Sequence, residues 1–229
     1  VCFGISFRVA RLILKKAMKM NETQIREQIC FFGKSLHDRG LTPGSSGNVS
    51  VRLDDGWLMT PTNSCLGLLD PARLSRLDEK GNLASGEPMT KESFLHIAMY
   101  DQRPDAQAVV HLHSTHSVAV SCLADVDRTN VIPPITAYYV MRVGTLPLVP
   151  YYRPGDKALA EAVRGFADKY HAVLLANHGP VVAGTSLSAA VYAIEELEET
   201  AKLYLMLQGR RKRFLTPAQV AELEKTFPS

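Results

Sequence analysis

Apolar residues recur at helical spacing through Ile25, Ile29, Phe32 and Leu36, and Gly40 closes the run, which predicts a packing helix from Glu22 to Arg39. A small-residue loop, Pro43-Gly-Ser-Ser-Gly-Asn48, follows. It leads into Val49 to Leu53, the turn Asp54-Asp-Gly56 and Trp57 to Thr60, a hairpin pattern, and then the polar turn Thr62-Asn63. A second helix is predicted from Thr90 to Tyr100, with Thr90 as its N-cap and Phe94, Leu95 and Ala98 facing inward. Strands are predicted around Ala108 to His113, from Ile135 to Val140 after the break at Pro133-Pro134, from Ala172 to Ala176 and from Pro180 to Ala183. Helical spacing covers Gly155 to Tyr170 and Leu187 to Leu207, and Thr216-Pro-Ala-Gln219 is a capping box that opens a short last helix. Strands and helices interleave throughout, the mark of an α/β fold in which a sheet is layered with helices.

Length and composition narrow this picture without redirecting it. The 229 residues, 46% hydrophobic and 21% charged, suit a single globular domain; no Pro/Gly/Ser linker divides them and no repeat is visible. Cys2, Cys30, Cys65 and Cys122 form no Cys-x-x-Cys pair, so neither a disulfide framework nor a cysteine metal cage is expected, and a reducing cytoplasm fits. The net charge of +3 is misleading. Residues 1–19 contain Arg8, Arg11, Lys15, Lys16 and Lys19 and no acid, so removing five charges from +3 leaves −2 for the remainder. That excludes a basic field for nucleic acid. The leader places its apolar residues before its charges, the reverse of a secretory signal, and is too interrupted to span a bilayer, so no membrane partner is expected. A cationic surface helix is one reading of it. The preferred expectation is that residues 1–19 are a non-native or mis-assigned extension, with the true start at Met20.

The chemistry is concentrated in histidines. His111 and His113 form a His-x-His pair in an apolar run; on a strand both would face one side while Val110 and Leu112 enter the core. His178 ends another apolar run at a turn. A lone histidine near a strand end is most often an ordinary hydrogen-bonded residue. Two buried imidazoles two positions apart need a shared partner, however, and three with an open position describe a catalytic metal site. Ser45-Ser-Gly-Asn48 reads either as a tight turn or as an anion site in which Gly47 lets the backbone approach a phosphate. Thr62, Asn63 and Thr90 are further candidate donors. Glu92 reads either as a helix-dipole partner or as a fourth metal neighbour and acid/base.

In order, Ser-Ser-Gly-Asn-Val-Ser, Leu-Met-Thr-Pro-Thr, Pro-Met-Thr-Lys-Glu, Arg-Pro-Asp-Ala-Gln-Ala-Val-Val-His-Leu-His and Leu-Leu-Ala-Asn-His-Gly-Pro resemble the class II aldolase/adducin family over Glu22 to Gln208. The resemblance implies that residues 20–229 form one layered α/β/α sandwich around a largely antiparallel sheet. It implies His111, His113 and His178 as ligands of Zn2+ or another divalent ion, with Glu92 at or near the metal as acid/base. It also implies a phosphate loop of Ser45, Gly47, Asn48, Thr62 and Asn63 with help from Thr90. Fuculose-phosphate aldolases carry Ser-Ser-Glu where this chain has Thr90-Lys91-Glu92, and the difference points to the acid-sugar branch, which decarboxylates 3-oxo-tetronate 4-phosphate to dihydroxyacetone phosphate through a zinc-stabilised enediolate. Lys91 would then meet the substrate carboxylate or phosphate. Tyr138, or its neighbour Tyr139, would correspond to a proton-donating tyrosine that family members supply across a subunit boundary, in a homo-oligomer expected to be a tetramer. Two alternatives stand beside this: an aldolase or epimerase acting on a fuculose, rhamnulose or ribulose phosphate, and a non-enzymatic adducin-like interaction module.

Overall fold

A computed structural model describes residues 20–153 and 155–227; the expectation about residues 1–19 falls outside them. The element order is α1 (Glu22–Asp38), β1 (Asn48–Leu53), β2 (Gly56–Met59), β3 (Ser75–Leu77), β4 (Leu83–Ser85), α2 (Ser93–Gln102), β5 (Ala108–His111), α3 (Thr115–Ser121), α4 (Ala137–Arg142), β6 (Leu148–Val149), α5 (Ala158–Ala167), β7 (Ala172–Leu175), β8 (Gly179–Gly184), α6 (Leu187–Met206) and α7 (Pro217–Thr226). The strands form one eight-stranded sheet in the order β4-β3-β2-β1-β5-β8-β7-β6. Every pairing is antiparallel except β6 with β7.

Strand alternation divides the core into two layers. Ala108, Val110 and Leu112, with Leu174 and Val182, pack on the side of α1, α3, α4 and α6. Val109, Val173, Val181 and Ala183 pack on the other side, against Leu95, Ala98 and Met99 of α2 and Leu159 and Val163 of α5. Both faces of the central strands are thus covered, giving the expected α/β/α sandwich. Among the described residues no helix is long and apolar enough to cross a membrane.

Three readings change. Ile135 to Val140 is not a strand. Thr136 accepts a hydrogen bond from the Tyr139 N–H and caps α4, and burial of the adjacent Tyr139 and Val140 with Tyr138 exposed is a helical pattern too short to tell from alternation. The helix expected from Thr90 begins at Ser93, because the Thr90 hydroxyl accepts from the Glu92 N–H at 3.3 Å within a preceding turn, and Glu92 occupies the N-cap position. The helix expected from Gly155 is confined to α5. Strands β3, β4 and β6 and helix α3 are too short to leave a readable period.

Helix α3 begins immediately after His113 and is held from α6. The buried Glu198 carboxylate accepts from the backbone N–H groups of His116 (2.9 Å) and Ser117 (2.8 Å), from the Ser117 hydroxyl and from His116 Nδ1. Burial raises the Glu198 pKa, but these donors outweigh it and hold the group below its ordinary value. A carboxyl depressed by folding stabilises the fold above its unfolded pKa and loses that contribution as pH falls through the folded one. Glu198→Gln is therefore expected to lower stability by about 1–3 kcal/mol at neutral pH, measured by urea melts, and the gap from wild type should narrow below pH ~4.

Candidate active site

Three adjacent strands bring distant segments to one edge of the sheet. Asn48 at the start of β1 lies opposite His111 at the end of β5, and His111 lies opposite Val181, with His178 immediately before β8. Glu92 reaches the same edge from the start of α2. One ligand atom from each of Glu92, His111, His113 and His178 can be chosen so that all lie within 4.8 Å of one another. The three imidazole centroids are 4.7–4.9 Å apart, with rings steeply inclined to each other.

The backbone at this edge depends on a close approach. Gly179 has φ +153°, and a Cβ there would lie 2.3 Å from the Leu112 carbonyl oxygen. Gly179→Ala is expected to destabilise the fold by at least about 1–3 kcal/mol, the range for a strained backbone position, and to disturb metal uptake because His178 is the preceding residue. Thermal melting and metal titration of the variant check both effects.

His111 is fully buried and places Nδ1 2.8 Å from the Pro180 carbonyl. A carbonyl only accepts, so Nδ1 carries the hydrogen and the Nε2 lone pair faces the cluster. Burial also drives the His111 pKa down to about 3 and lowers that of His113, which keeps both rings neutral and ligand-competent. His111 Nε2 lies 3.0 Å from His113 Nε2 and 3.5 Å from Glu92 Oε2, while His178 Nε2 lies 3.3 Å from Glu92 Oε1. Burial opposes ionisation of Glu92, but the His178 contact and the Asn48 hydrogen bond prevail, so its carboxyl sits well below the usual range. Neutral imidazole nitrogens and a carboxylate converging on one point, with few other partners for their lone pairs, suit a divalent cation.

Beside this cluster is a cavity of about 300 Å3 lined by Ser45, Gly47, Asn48, Thr62, Asn63, Thr90, Lys91, Glu92 and His113, among others. Every residue expected to hold phosphate, together with Lys91, therefore lines one space. Gly47 and Asn63 have φ of +78° and +57°, so both turns present backbone in a left-handed conformation to the cavity. The Asn48 amide is largely committed: its Nδ2 donates to Glu92 Oε2 at 2.7 Å and its Oδ1 meets His96 Nε2, leaving one amide hydrogen for a ligand. Tyr138 does not line this cavity; it is 60% exposed on α4, whereas Tyr139 is fully buried in the core and its burial raises the phenol pKa.

Sequence reasoning missed Gly155, which also lines the cavity, and the buried polar side chains behind Asn48: His96, Ser50 and Tyr100. Spacing held the signal for the latter. Ser50 follows Asn48 by two on a strand, and Glu92, His96 and Tyr100 follow one another at intervals of four through α2, so each set shares a face.

Residues 27–205 match the family model described as Class II Aldolase and Adducin N-terminal domain. A 3-oxo-tetronate 4-phosphate decarboxylase of Escherichia coli K12 is 52% identical over 203 residues, covering 88% of this chain and 96% of that protein. An L-fuculose phosphate aldolase of Haemophilus influenzae is 35% identical, covering 82% and 85% respectively. Among solved structures, E. coli YgbL superposes with a TM-score of 0.86 at 50% identity over 88% of this chain and 98% of its own. An L-fuculose 1-phosphate aldolase superposes with a TM-score of 0.82 at 25% identity over 92% and 99%. With a family model matched over residues 27–205 and a relative 52% identical over nearly its whole length, the chain belongs to the class II aldolase/adducin family.

Proposed function

We propose that the protein decarboxylates 3-oxo-tetronate 4-phosphate to dihydroxyacetone phosphate and CO2, using a divalent metal, zinc by its three-imidazole donor set. The observation that carries this reading is the placement of Lys91: it lines the same cavity as the phosphate-loop residues and Glu92, where a second anionic group of the substrate would lie. The 52% identity to a decarboxylase, against 35% to an aldolase, supports the same branch.

Ser45, Gly47, Thr62, Asn63 and Thr90 hold the phosphate, with the free Asn48 hydrogen. Lys91 holds the carboxylate as a point charge. His111, His113 and His178, with Glu92 at or near the site, would hold a divalent metal, which would supply Lewis acidity for the oxyanion that develops when the carbon–carbon bond breaks. The bonding pair released with CO2 forms the enediolate of dihydroxyacetone phosphate, and one proton must then reach its carbon. The decarboxylation consumes one proton from the medium: Glu92, ionised at rest, takes it up and passes it to the enediolate carbon through Oε1, the oxygen Asn48 does not hold, returning to its ionised form. Tyr138, supplied by a neighbouring subunit of a homotetramer, is the second proton donor in this proposal. Its exposure supports that role, and the burial of Tyr139 argues against the neighbouring residue. A cytoplasmic site of action belongs to the same proposal.

Purified enzyme given 3-oxo-tetronate 4-phosphate should release CO2 and dihydroxyacetone phosphate, and chelator should stop both. Fuculose and rhamnulose phosphates should be cleaved far more slowly. Lys91→Ser should impair decarboxylation more than any residual aldol cleavage, because only the keto acid carries the extra carboxylate. Rapid aldehyde release without decarboxylation would instead identify an aldolase. Mixing Glu92→Gln and Tyr138→Phe proteins should restore activity by subunit exchange; an active monomer in sedimentation would remove the role of Tyr138 in trans.

A further inference from the structure

Behind the cavity wall, a line of buried side chains runs from Glu92 into the protein. Asn48 Nδ2 is 2.7 Å from Glu92 Oε2, Asn48 Oδ1 contacts His96 Nε2, His96 Nδ1 is 2.7 Å from Ser50 Oγ, and Ser50 Oγ is 2.9 Å from the Tyr100 hydroxyl. His96 and Ser50 have no exposed surface, and Tyr100 has almost none.

The ionised end of this line sets the direction of every hydrogen bond in it. A carboxylate only accepts, so Asn48 must turn its NH2 toward Glu92 and its carbonyl toward His96. His96 must therefore carry its hydrogen on Nε2, which leaves Nδ1 to accept from the Ser50 hydroxyl, and Ser50 in turn accepts from Tyr100. Burial drives the His96 pKa down to about 4, consistent with a neutral ring. The side chains come from β1 and α2, which are also joined farther from the site by Arg52, whose Nη2 donates to the Tyr100 carbonyl at 2.9 Å.

We infer that His96 is a positioning residue for the reaction: through Asn48 it fixes the rotamer and orientation of the Glu92 carboxylate, with Ser50 and Tyr100 fixing the ring in turn. This rests on Glu92 being the acid/base, and not on which sugar phosphate is bound. Removing the His96 N–H frees the Asn48 amide to turn, and Glu92 then loses the donor that holds Oε2. Chemistry suffers while the phosphate contacts of Ser45, Gly47, Thr62, Asn63 and Thr90 and the Lys91 contact persist, with only the single Asn48 hydrogen lost from the phosphate.

On the metal-loaded enzyme, His96→Leu should lower kcat by about 10- to 100-fold, the range for groups that orient a site from behind, with KM and bound metal changed by less than about twofold. His96→Gln keeps an N–H near the position of Nε2 and should recover most of kcat. In an Asn48→Ala background, His96→Leu should add less than about twofold, because residues acting in series are not additive. Nitrogen NMR of the unsubstituted protein, with and without metal, should show His96 as the neutral Nε2–H tautomer. Normal kcat in His96→Leu, multiplicative losses in the double variant, no recovery in a folded His96→Gln, or an Nδ1–H tautomer would each overturn the inference. If His96→Leu fails to fold, His96→Gln and the tautomer decide. A fully active Glu92→Gln would instead remove the acid/base reading beneath it, whereas an inactive Glu92→Gln beside a normal His96→Leu would remove the positioning role alone.

Discussion

Glu92→Gln is expected to keep the fold and most of the metal while lowering turnover by about 10²- to 10⁴-fold, the usual effect of removing a general acid/base. The side chain is nearly isosteric, and an amide can still meet Asn48 and His178. What disappears is the capacity to take and release a proton. Because the carboxyl is held ionised by its donors, the wild-type group is in its proton-accepting form at neutral pH. Steady-state kinetics with matched metal analysis check the outcome, and normal turnover in Glu92→Gln would return Glu92 to a helix-terminus role.

His111→Ala and His178→Ala are expected to lose the metal and with it essentially all activity. The protein as prepared with metal should hold about one equivalent per chain by the three-histidine coordination rule. His111 is the more demanding position, since its Nδ1 is tied to Pro180 and its ring is fully buried. Its replacement also leaves a cavity in the core, so the His178 variant, at the more exposed turn, isolates ligation from stability. Elemental analysis and circular dichroism of both variants provide the test; full metal retention in both would sink the assignment.

Much of this organisation was legible in the chain because the elements that build the site are long or strongly patterned. Helices α1 and α6 show their period, the capping box at Thr216 opens α7 as written, and the alternation through Val109, Val110, His111 and Leu112 assigns sides of the sheet correctly. The clustered histidines stood out because their spacing is unusual within apolar runs. Two-residue β6 and the three-residue β3 and β4 were illegible, since pairing with long neighbours, not local preference, makes them strands. The start of α2 was misplaced for a related reason. Local rules favour Thr90 as a cap, but tertiary contacts of Glu92 with Asn48 and the histidines hold the chain in a turn until Ser93. The line from Asn48 to Tyr100 was unread because pattern reasoning treats Ser50 and His96 as isolated polar residues until two elements are placed side by side.

The short turn that carries Lys91 has a consequence for how such a protein diversifies. Lys91 is exposed and lies between an isolated bridge at Met89 and the first residue of α2, outside every strand of the sheet. A substitution there disturbs neither the histidine cluster nor the packed layers, so it should cost about 0.5 kcal/mol or less in stability. In the proposed reaction, the group that would meet the departing end of the substrate is thus almost decoupled from the structure that would grip the rest. New reactions can be sampled at that position without first finding compensating changes in the core, and lineages sharing this scaffold can exchange a departing aldehyde for departing CO2 in few steps.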